Sequence, residues 1–304
     1  MRFATVLLVS TTLAGCEVNL NTEGLSAREV KTFKVTGQAE LSLETFDGAI
    51  ELHSWDKDEI EVEIEKRAME QALLDEIKID SKQQDNKVIV KVTGPSRERH
   101  GVTIGMHISP TARLRVAVPR NINISASSSD GSIRAEAIEG RIVLHTTDGS
   151  VTGLRIGGDV QVRSGDGSIR IDGAAGKFDL ETTDGTIRVE GKPGVLRART
   201  GDGSIRANIE PDTVMADNWE LTTSDGSVTV TLPGVFNVEL DAETSDGSVV
   251  ANHPQIDDGG RLERREGEDR DERRERRRTL RSKLGDGGKM FRIRTGDGSI
   301  RIER

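Results

Sequence analysis

Apolar and polar residues alternate in short segments on both sides of a repeated Asp-Gly dipeptide. Before the dipeptide at Asp184, apolar side chains stand at Phe178 and Leu180; after it, they stand at Ile187 and Val189, with polar or charged residues between them. Alternation with a period of two is typical of a strand that buries one face. Each repeat therefore predicts two short strands joined by an Asp-Gly turn.

The dipeptide returns every 18 residues from Asp130 to Asp202, and then after 23 residues at Asp225 and 21 residues at Asp246. A fixed period of about 20 residues is typical of a solenoid, whose coils stack to bury one shared core. We predict an all-β, parallel β-solenoid of the β-helix or β-roll kind, with about 18 residues per coil and irregular N-terminal coils. The predicted turns are Asp130-Gly131, Asp148-Gly149, Asp166-Gly167, Asp184-Gly185, Asp202-Gly203, Asp225-Gly226, Asp246-Gly247 and Asp297-Gly298.

Outward-facing charges distinguish this arrangement from an antiparallel meander of hairpins, which the turns alone would also allow. If coils stack in register, opposite charges become neighbours in columns and specify that register. One predicted column is Arg163, Glu181 and Arg199, and another is Asp179, Arg197 and Glu220.

The turn itself has a defined chemistry in this prediction. The glycine is expected to supply a positive φ, and the Asp carboxylate to accept hydrogen bonds from backbone amides of its own turn. Two residues before each Asp there is a Ser or Thr, which by parity points inward and closes the core. These hydroxyl residues are Ser128, Thr146, Ser164, Thr182, Thr200, Thr223 and Thr244.

Calcium binding is an alternative role for the Asp column. Carboxylates stacked about 4.8 Å apart repel each other, and a cation between coils would relieve the repulsion. The calcium β-roll, however, carries its Asp-containing nonapeptide twice per coil, whereas here only one of the two turns has an Asp. The sequence therefore favours a structural role for the Asp-Gly turns, with no metal and no cofactor.

The first residues resemble a bacterial lipoprotein signal. Residues 1–15 start with a cationic residue, continue with an apolar run too short to span a membrane, and lead through Leu13-Ala14-Gly15 to Cys16. In such signals the Cys becomes the acylated first residue of the mature chain, and Glu17 after it resembles lipoproteins sent to an outer membrane. An ordinary secretory signal is the alternative. Cys16 is the only Cys, so no disulfide is expected.

The remaining segments follow in order along the chain. Residues 16–32 are expected to be a polar tether, 33–120 irregular β coils that cap the solenoid and contain a short helix within 69–77, and 121–251 the regular coils. Residues 252–289 are rich in Arg and Glu and are expected to loop out. Residues 290–304 restore the repeat and should stack on the coil of Asp246.

Composition narrows the possible functions. Of 304 residues, 34% are hydrophobic and 3% aromatic, and the net charge is −9, which argues against a nucleic-acid binder. The five His are scattered and no metal or nucleotide motif occurs. Parallel β-helices also host polysaccharide-cleaving enzymes, and the exposed pairs Asp179/Glu181 and Asp241/Glu243 could supply carboxylates. Their alternation with Arg is better explained by register, so we predict no enzyme activity.

The repeated T-x-D-G-S-[IV] phrase, the short predicted helix and the closing coil from Phe291 to Ile302 resemble the bacterial putative-adhesin family, over about residues 30–304. The resemblance implies a cell-envelope β-solenoid and supplies no catalytic residues. We expect a lipid-anchored envelope protein, on the outer membrane where there are two, that binds an envelope polymer or protein. The alternative is a structural or signalling component of the envelope, in which the basic part of residues 257–289 contacts anionic lipid.

Overall fold

The computed structural model describes residues 18–21, 24–95, 109–256 and 278–304. The predicted signal peptide, Cys16 and the centre of the Arg-rich segment lie outside these ranges. Strands and one short helix build the described part. In chain order, the first elements are β1 (Val18–Asn21), β2 (Gly24–Lys34), β3 (Ala39–Thr45), β4 (Ile50–Trp55), β5 (Glu59–Ala68), α1 (Gln71–Glu76), β6 (Lys78–Gln84), β7 (Lys87–Thr93), β8 (Thr111–Pro119), β9 (Ile122–Ser128), β10 (Ile133–Glu136) and β11 (Glu139–Thr146).

The all-β expectation is confirmed, as is the short helix, which lies within residues 69–77. Among the described residues no helix is both long enough and apolar enough to cross a bilayer. The later strands are β12 (Val151–Leu154), β13 (Gly157–Ser164), β14 (Ile169–Thr182), β15 (Ile187–Thr200), β16 (Ile205–Ile209), β17 (Trp219–Thr223), β18 (Val228–Thr231), β19 (Val238–Thr244), β20 (Val249–Asn252), β21 (Thr279–Leu284), β22 (Met290–Thr295) and β23 (Ile300–Glu303).

Strands of successive repeats pair in parallel. Ile133 pairs with Val151, Val151 with Ile169, Ile169 with Ile187, and Ile187 with Ile205, so equivalent apolar residues form one buried column. Because successive side chains along a strand point to opposite faces of the sheet, every second side chain joins this core and the others face outward. The result is a solenoid-like stack whose exposed residues are also aligned in columns.

The stack has two sheets, which we name by their position relative to the Asp-Gly turn. The front sheet contains the strands that precede the turn, in the order β6-β7-β3-β9-β11-β13-β14-β15-β17-β22-β19-β21. The back sheet contains the strands that follow it, in the order β1-β2-β5-β8-β4-β10-β12-β14-β15-β16-β18-β23-β20. β14 and β15 contribute to both.

The terminal coil does not lie at the end of the stack. It pairs with the coil of Asp246, as predicted, through β22 with β19 and β23 with β20. It also pairs on its other side with the coil of Asp225, through β17 and β18. The last coil in the chain is therefore inserted between two earlier ones. The coil of Asp47 is inserted in the same way, between β7–β8 and β9–β10.

Antiparallel strands cover most of the ends of the stack and correct two predicted boundaries. The tether expected over residues 16–32 is wrong where the structure describes this segment, because β1 pairs with β2, and β2 pairs with β5 from Leu25 to Lys34 and buries Ala27 and Phe33. The loop expected over 252–289 is wrong at its C-terminal end, where β21 pairs with β19. In both segments charged residues alternate with few apolar ones, so the sequence alone did not reveal the strands.

Candidate functional site

The buried Ser and Thr hydroxyls two residues before each turn Asp form hydrogen bonds that connect each turn to the turn of a neighbouring coil. Ser164 Oγ accepts a hydrogen bond from the Gly167 amide at 3.0 Å and donates to the Gly149 carbonyl of the neighbouring coil at 2.9 Å. The hydroxyls that donate to a neighbouring turn glycine are Ser128, Thr146, Ser164, Thr182, Thr200, Thr223, Thr244 and Thr295. A hydroxyl accepts from the turn amide at Gly131, Gly149, Gly167, Gly226 and Gly298. The predicted hydrogen bond from a turn amide to the Asp carboxylate is found at Asp47, with the Gly48 amide.

The turn glycines are required by close approach of neighbouring coils. A Cβ on Gly167 would lie 2.0 Å from the Gly149 carbonyl oxygen, and one on Gly203 would lie 1.9 Å from that of Gly185. The predicted positive φ is found at Gly48 (φ 119°) but not at the turns from Gly131 onward. The predicted reason for those glycines was therefore wrong: they make room for the next backbone.

The turn carboxylates form an exposed column along one edge. Only Asp47 among them is partly buried; burial and the neighbouring Asp130 carboxylate raise its pKa above the usual 3.8. At the other end Arg278 donates to Asp246 at 3.1 Å. Within the ranges that the structure describes, no three His, Cys, Asp or Glu side chains converge to hold a metal ion. The column is an anionic edge and not a set of converging ligands.

The front sheet displays the charge columns that the sequence predicted. Glu181 pairs in register with Arg163 and Arg199, and Arg197 pairs with Glu220. Of these neighbours, Arg163 and Glu181 form an ion pair, with Nε and Oε2 3.0 Å apart. The residues surround a shallow depression of about 230 Å³. The register of these columns is as expected, but of their neighbouring residues only Arg163 and Glu181 form a direct ion pair among those that the structure describes.

The other predicted carboxylate pair is held by arginine. Arg294 lies 2.6 Å from Asp241 and 3.5 Å from Glu243, and Arg281 approaches Asp241 to 3.4 Å. The hydrogen bond from Arg294 lowers the pKa of Asp241 more than partial burial raises it. Asp241 is thus held as an anion paired with arginine.

A charge cluster on the antiparallel N-terminal strands was missed by the sequence analysis. Glu63 on β5 accepts hydrogen bonds from Arg28 on β2 and Arg115 on β8. Partial burial acts to raise the pKa of Glu63, but the two guanidinium groups outweigh it and leave the pKa lowered. Finding this cluster required the antiparallel order β2-β5-β8, which no repeat in the sequence indicates.

The back sheet carries a different pattern, also missed. Four residues after the turn Asp there is an exposed arginine in most coils, and two residues further on there is usually an acid. Arg170 pairs with Asp172 of its own strand at 2.7 Å, whereas Arg188 and Arg206 have no ion pair within the described part of the chain. The arginines of this column are Arg134, Arg170, Arg188, Arg206 and Arg301. The same offset in five repeats was visible in the sequence.

Several solved structures are similar in outline. A putative adhesin from Bacteroides fragilis is 11% identical, with 90% of this chain and 96% of that chain covered and a TM-score of 0.46. A putative cell adhesion protein from Clostridium sporogenes is 14% identical, with 91% and 99% covered and a TM-score of 0.31. A putative lipid binding protein from Parabacteroides distasonis is 10% identical, with 91% and 97% covered and a TM-score of 0.38.

No curated protein matches the chain. A family model, by contrast, matches nearly all of it, from residue 32 to residue 303, and its description is Toastrack DUF4097. The match begins near the end of β2 and spans every coil of the solenoid. The chain belongs to the Toastrack DUF4097 family.

Proposed function

We propose that this protein is a non-enzymatic binding scaffold of the cell envelope, an adhesin-like solenoid with Asp-Gly turns and about 18 residues per coil. Cys16 carries the lipid that holds it to a membrane, the outer one where there are two. The partner is a repetitive envelope polymer or an envelope protein. Neither a metal nor a cofactor takes part.

The observation that carries this proposal is the alignment of exposed side chains in columns on both sheets. Their spacing is fixed by the backbone, because each coil is hydrogen-bonded to the next and tied by the buried hydroxyls. Solenoids use such extended surfaces for binding. A surface that is already ordered loses little conformational entropy on binding, so even shallow contacts with a repeating partner add up.

The absence of an enzymatic role is supported by the state of the carboxylates. Catalysis by a carboxylate pair needs one group poised to give or accept a proton. Asp241 instead has a lowered pKa beside Arg294, and Glu181 is paired with Arg163. If the purified protein cleaved an envelope polysaccharide, and Glu181→Gln abolished the cleavage, this part of the proposal would be wrong.

Photocrosslinking in cells tests the scaffold function directly. A benzophenone amino acid is placed at Arg199 on the front sheet or at Arg188 on the back sheet, and at buried Leu180 as the matched control. We expect an exposed position to give a discrete crosslink to a polymer or protein of the envelope, and the buried position to give none. Identical weak smears at all three positions would refute a specific binding surface.

The anchor is tested separately. Cells are fed an alkyne-bearing fatty acid, and the full-length chain is compared with Cys16→Ser for labelling and for its distribution between membrane and soluble fractions. We expect labelling and membrane association of the full-length chain only. If the Cys16→Ser chain stayed with the membrane to the same extent, retention would have to come from another segment, for which residues 257–277 are the first to delete, because this deletion leaves β21 in place.

A further inference from the structure

The back sheet carries an arginine column that folding does not require. Arg170, Arg188 and Arg206 are direct neighbours on β14, β15 and β16. Like charges opposite each other on adjacent strands are destabilising. On the front sheet of the same coils the neighbours alternate in sign, as at Glu181 and Arg199. The charges of the front sheet therefore specify how adjacent coils align. The arginine column does not contribute to that alignment, and we ask whether it binds a ligand.

The guanidinium groups in this column face solvent, and that of Arg170 is paired with Asp172 of its own strand at 2.7 Å, so a ligand carboxylate there would share Arg170 with Asp172. All three are exposed, and Arg188 and Arg206 have no ion pair among the described residues. A guanidinium group presents paired N–H donors that match the two oxygens of a carboxylate or a sulfate. A ligand with one anionic group per coil spacing would engage them in succession, and it would also relieve the repulsion within the column.

Two further columns run beside the arginines. On the side of the turn there is a hydroxyl column, exposed or half-exposed, two residues after each Asp: Ser132, Ser150, Ser168, Thr186, Ser204, Ser227, Ser299 and Ser248. On the far side, two residues after each arginine, there is a column of mainly acids and amides that includes Glu136, Asp172, Glu190, Asn208 and Glu303. The arginine column is therefore flanked by groups that exchange hydrogen bonds with hydroxyls.

The arginine column and the two columns beside it favour some polyanions over others. A polyanion without hydroxyls, such as a polyphosphate, would be attracted by the arginines but repelled by Asp172 and Glu190 beside them, with no hydrogen bond to offset the repulsion. A polymer whose units each carry one carboxylate and several hydroxyls would satisfy all three columns, since carboxylates and amides accept or donate hydrogen bonds to hydroxyls. Its units should repeat near the strand separation of about 4.8 Å, which is comparable to the length of a sugar ring.

We propose that the back sheet binds a linear acidic polysaccharide along the solenoid axis, with its carboxylates on Arg170, Arg188 and Arg206. Sugar hydroxyls contact the flanking hydroxyl and acid columns. The inference rests on the proposed scaffold function and narrows it to one sheet and one class of ligand.

Binding of polygalacturonate to the full-length protein in detergent tests the inference, with biolayer interferometry as the readout. The variant is Arg188→Gln with Arg206→Gln. The matched control is Arg197→Gln with Arg199→Gln, which removes the same charge from the front sheet of the same part of the stack. We expect the back-sheet variant to weaken binding by at least about tenfold per arginine, and the control to change it by less than about threefold.

Two competing polymers and a melting curve complete the test. Fully methyl-esterified polygalacturonate and polyphosphate are each expected to compete at least tenfold less well than polygalacturonate. The back-sheet variant should melt at or above the temperature of the parent, because it relieves like-charge repulsion, so its loss of binding cannot be attributed to unfolding.

Three results would overturn the inference: equal losses in both variants, competition by polyphosphate as strong as by polygalacturonate, or no binding of polygalacturonate at millimolar uronate. The photocrosslinks separate this failure from that of the scaffold function. Specific crosslinks from Arg199 alone would leave the scaffold function intact and remove the back sheet from it.

Discussion

Replacement of the turn glycine Gly167 by alanine perturbs the contact between coils directly. The new Cβ would lie 2.0 Å from the carbonyl oxygen of Gly149 and 2.8 Å from the amide nitrogen of Ser150. Both obstacles are backbone atoms of the neighbouring coil, so no side chain can rotate away. The two turns must separate by roughly 1 Å, since contacts shorter than 3.0 Å are essentially never found for a Cβ.

The magnitude follows from what that separation breaks. Ser164 Oγ donates to the Gly149 carbonyl at 2.9 Å, and this buried bond would be stretched or lost at a cost of about 1–3 kcal/mol. Overpacking of a filled site costs about 1–3 kcal/mol more. We expect Gly167→Ala to lower the free energy of unfolding by roughly 2–6 kcal/mol, which for a chain of this length corresponds to a melting temperature lower by several degrees.

Gly194→Ala is the matched control. Gly194 lies within β15 and has no positive φ. The nearest atoms would lie 3.5 Å from a new Cβ, which is an ordinary van der Waals distance. We expect this variant to equal the parent or to exceed it by about 0.4–1 kcal/mol, because alanine restricts the unfolded chain. Urea titrations followed by circular dichroism measure both. If Gly167→Ala were as stable as Gly194→Ala, the turns would not be stacked as described.

Three further predictions follow from the same contacts. Thr182→Val should cost roughly 1–3 kcal/mol in urea titrations and Thr182→Ser much less, because only valine removes the donor to the Gly167 carbonyl. Asp47→Asn should raise the melting temperature at pH 7. The raised pKa of Asp47 means that the folded state disfavours its anion, so the parent protein loses stability as pH rises through the folded pKa of Asp47. The gain in melting temperature should vanish below about pH 3, where the carboxyl group is protonated in both states. Deletion of residues 290–304 should expose the coil of Asp246 to limited proteolysis while the coil of Asp166 stays protected, because the deleted coil lies between the Asp225 and Asp246 coils; equal protection of both coils would contradict the inserted position.

The regular part of the fold could be predicted because one pattern is repeated there. Alternation on each side of the turn places Ile169 and Ile187 in the core, and the fixed spacing aligns them in one column. The inward position of Thr182 follows from parity alone. The front-sheet columns follow as well, since charge signs at equal offsets, as at Glu181 and Arg199, can be compared directly in the sequence.

Other features depend on distances that the sequence does not contain. The need for glycine at Gly167 comes from the Gly149 carbonyl of the preceding coil, whereas the sequence suggests only the usual preference of glycine for positive φ. The pairing of Glu63 with Arg28 and Arg115 depends on antiparallel strands outside the repeat. The arginine column, by contrast, is visible in the sequence, because its members share one offset from the turn.

The inserted position of the terminal coil has an electrostatic reason that chain order conceals. If the coils followed one another in chain order, Glu220 would lie directly beside Asp241, and two acids would oppose each other across adjacent strands. In the structure Arg292 lies between them and pairs in register with both. The column then runs Arg197, Glu220, Arg292, Asp241, with the sign changing at every step.

Two contacts of the terminal coil with its neighbours also bear on its inserted position. Arg294 reaches Asp241 at 2.6 Å, and Phe291 packs edge-on against Trp219 with ring centroids 5.4 Å apart. The aromatic contact would be lost if the coil of Asp246 stacked directly on that of Asp225, whereas the contact between Arg294 and Asp241 needs only the pairing of β22 with β19. Adjacent coils share the same turn and the same core pattern, so the apolar interior alone would accept either order. The outward charges and the buried aromatic pair distinguish the two orders, which makes the surface of this protein a determinant of its topology.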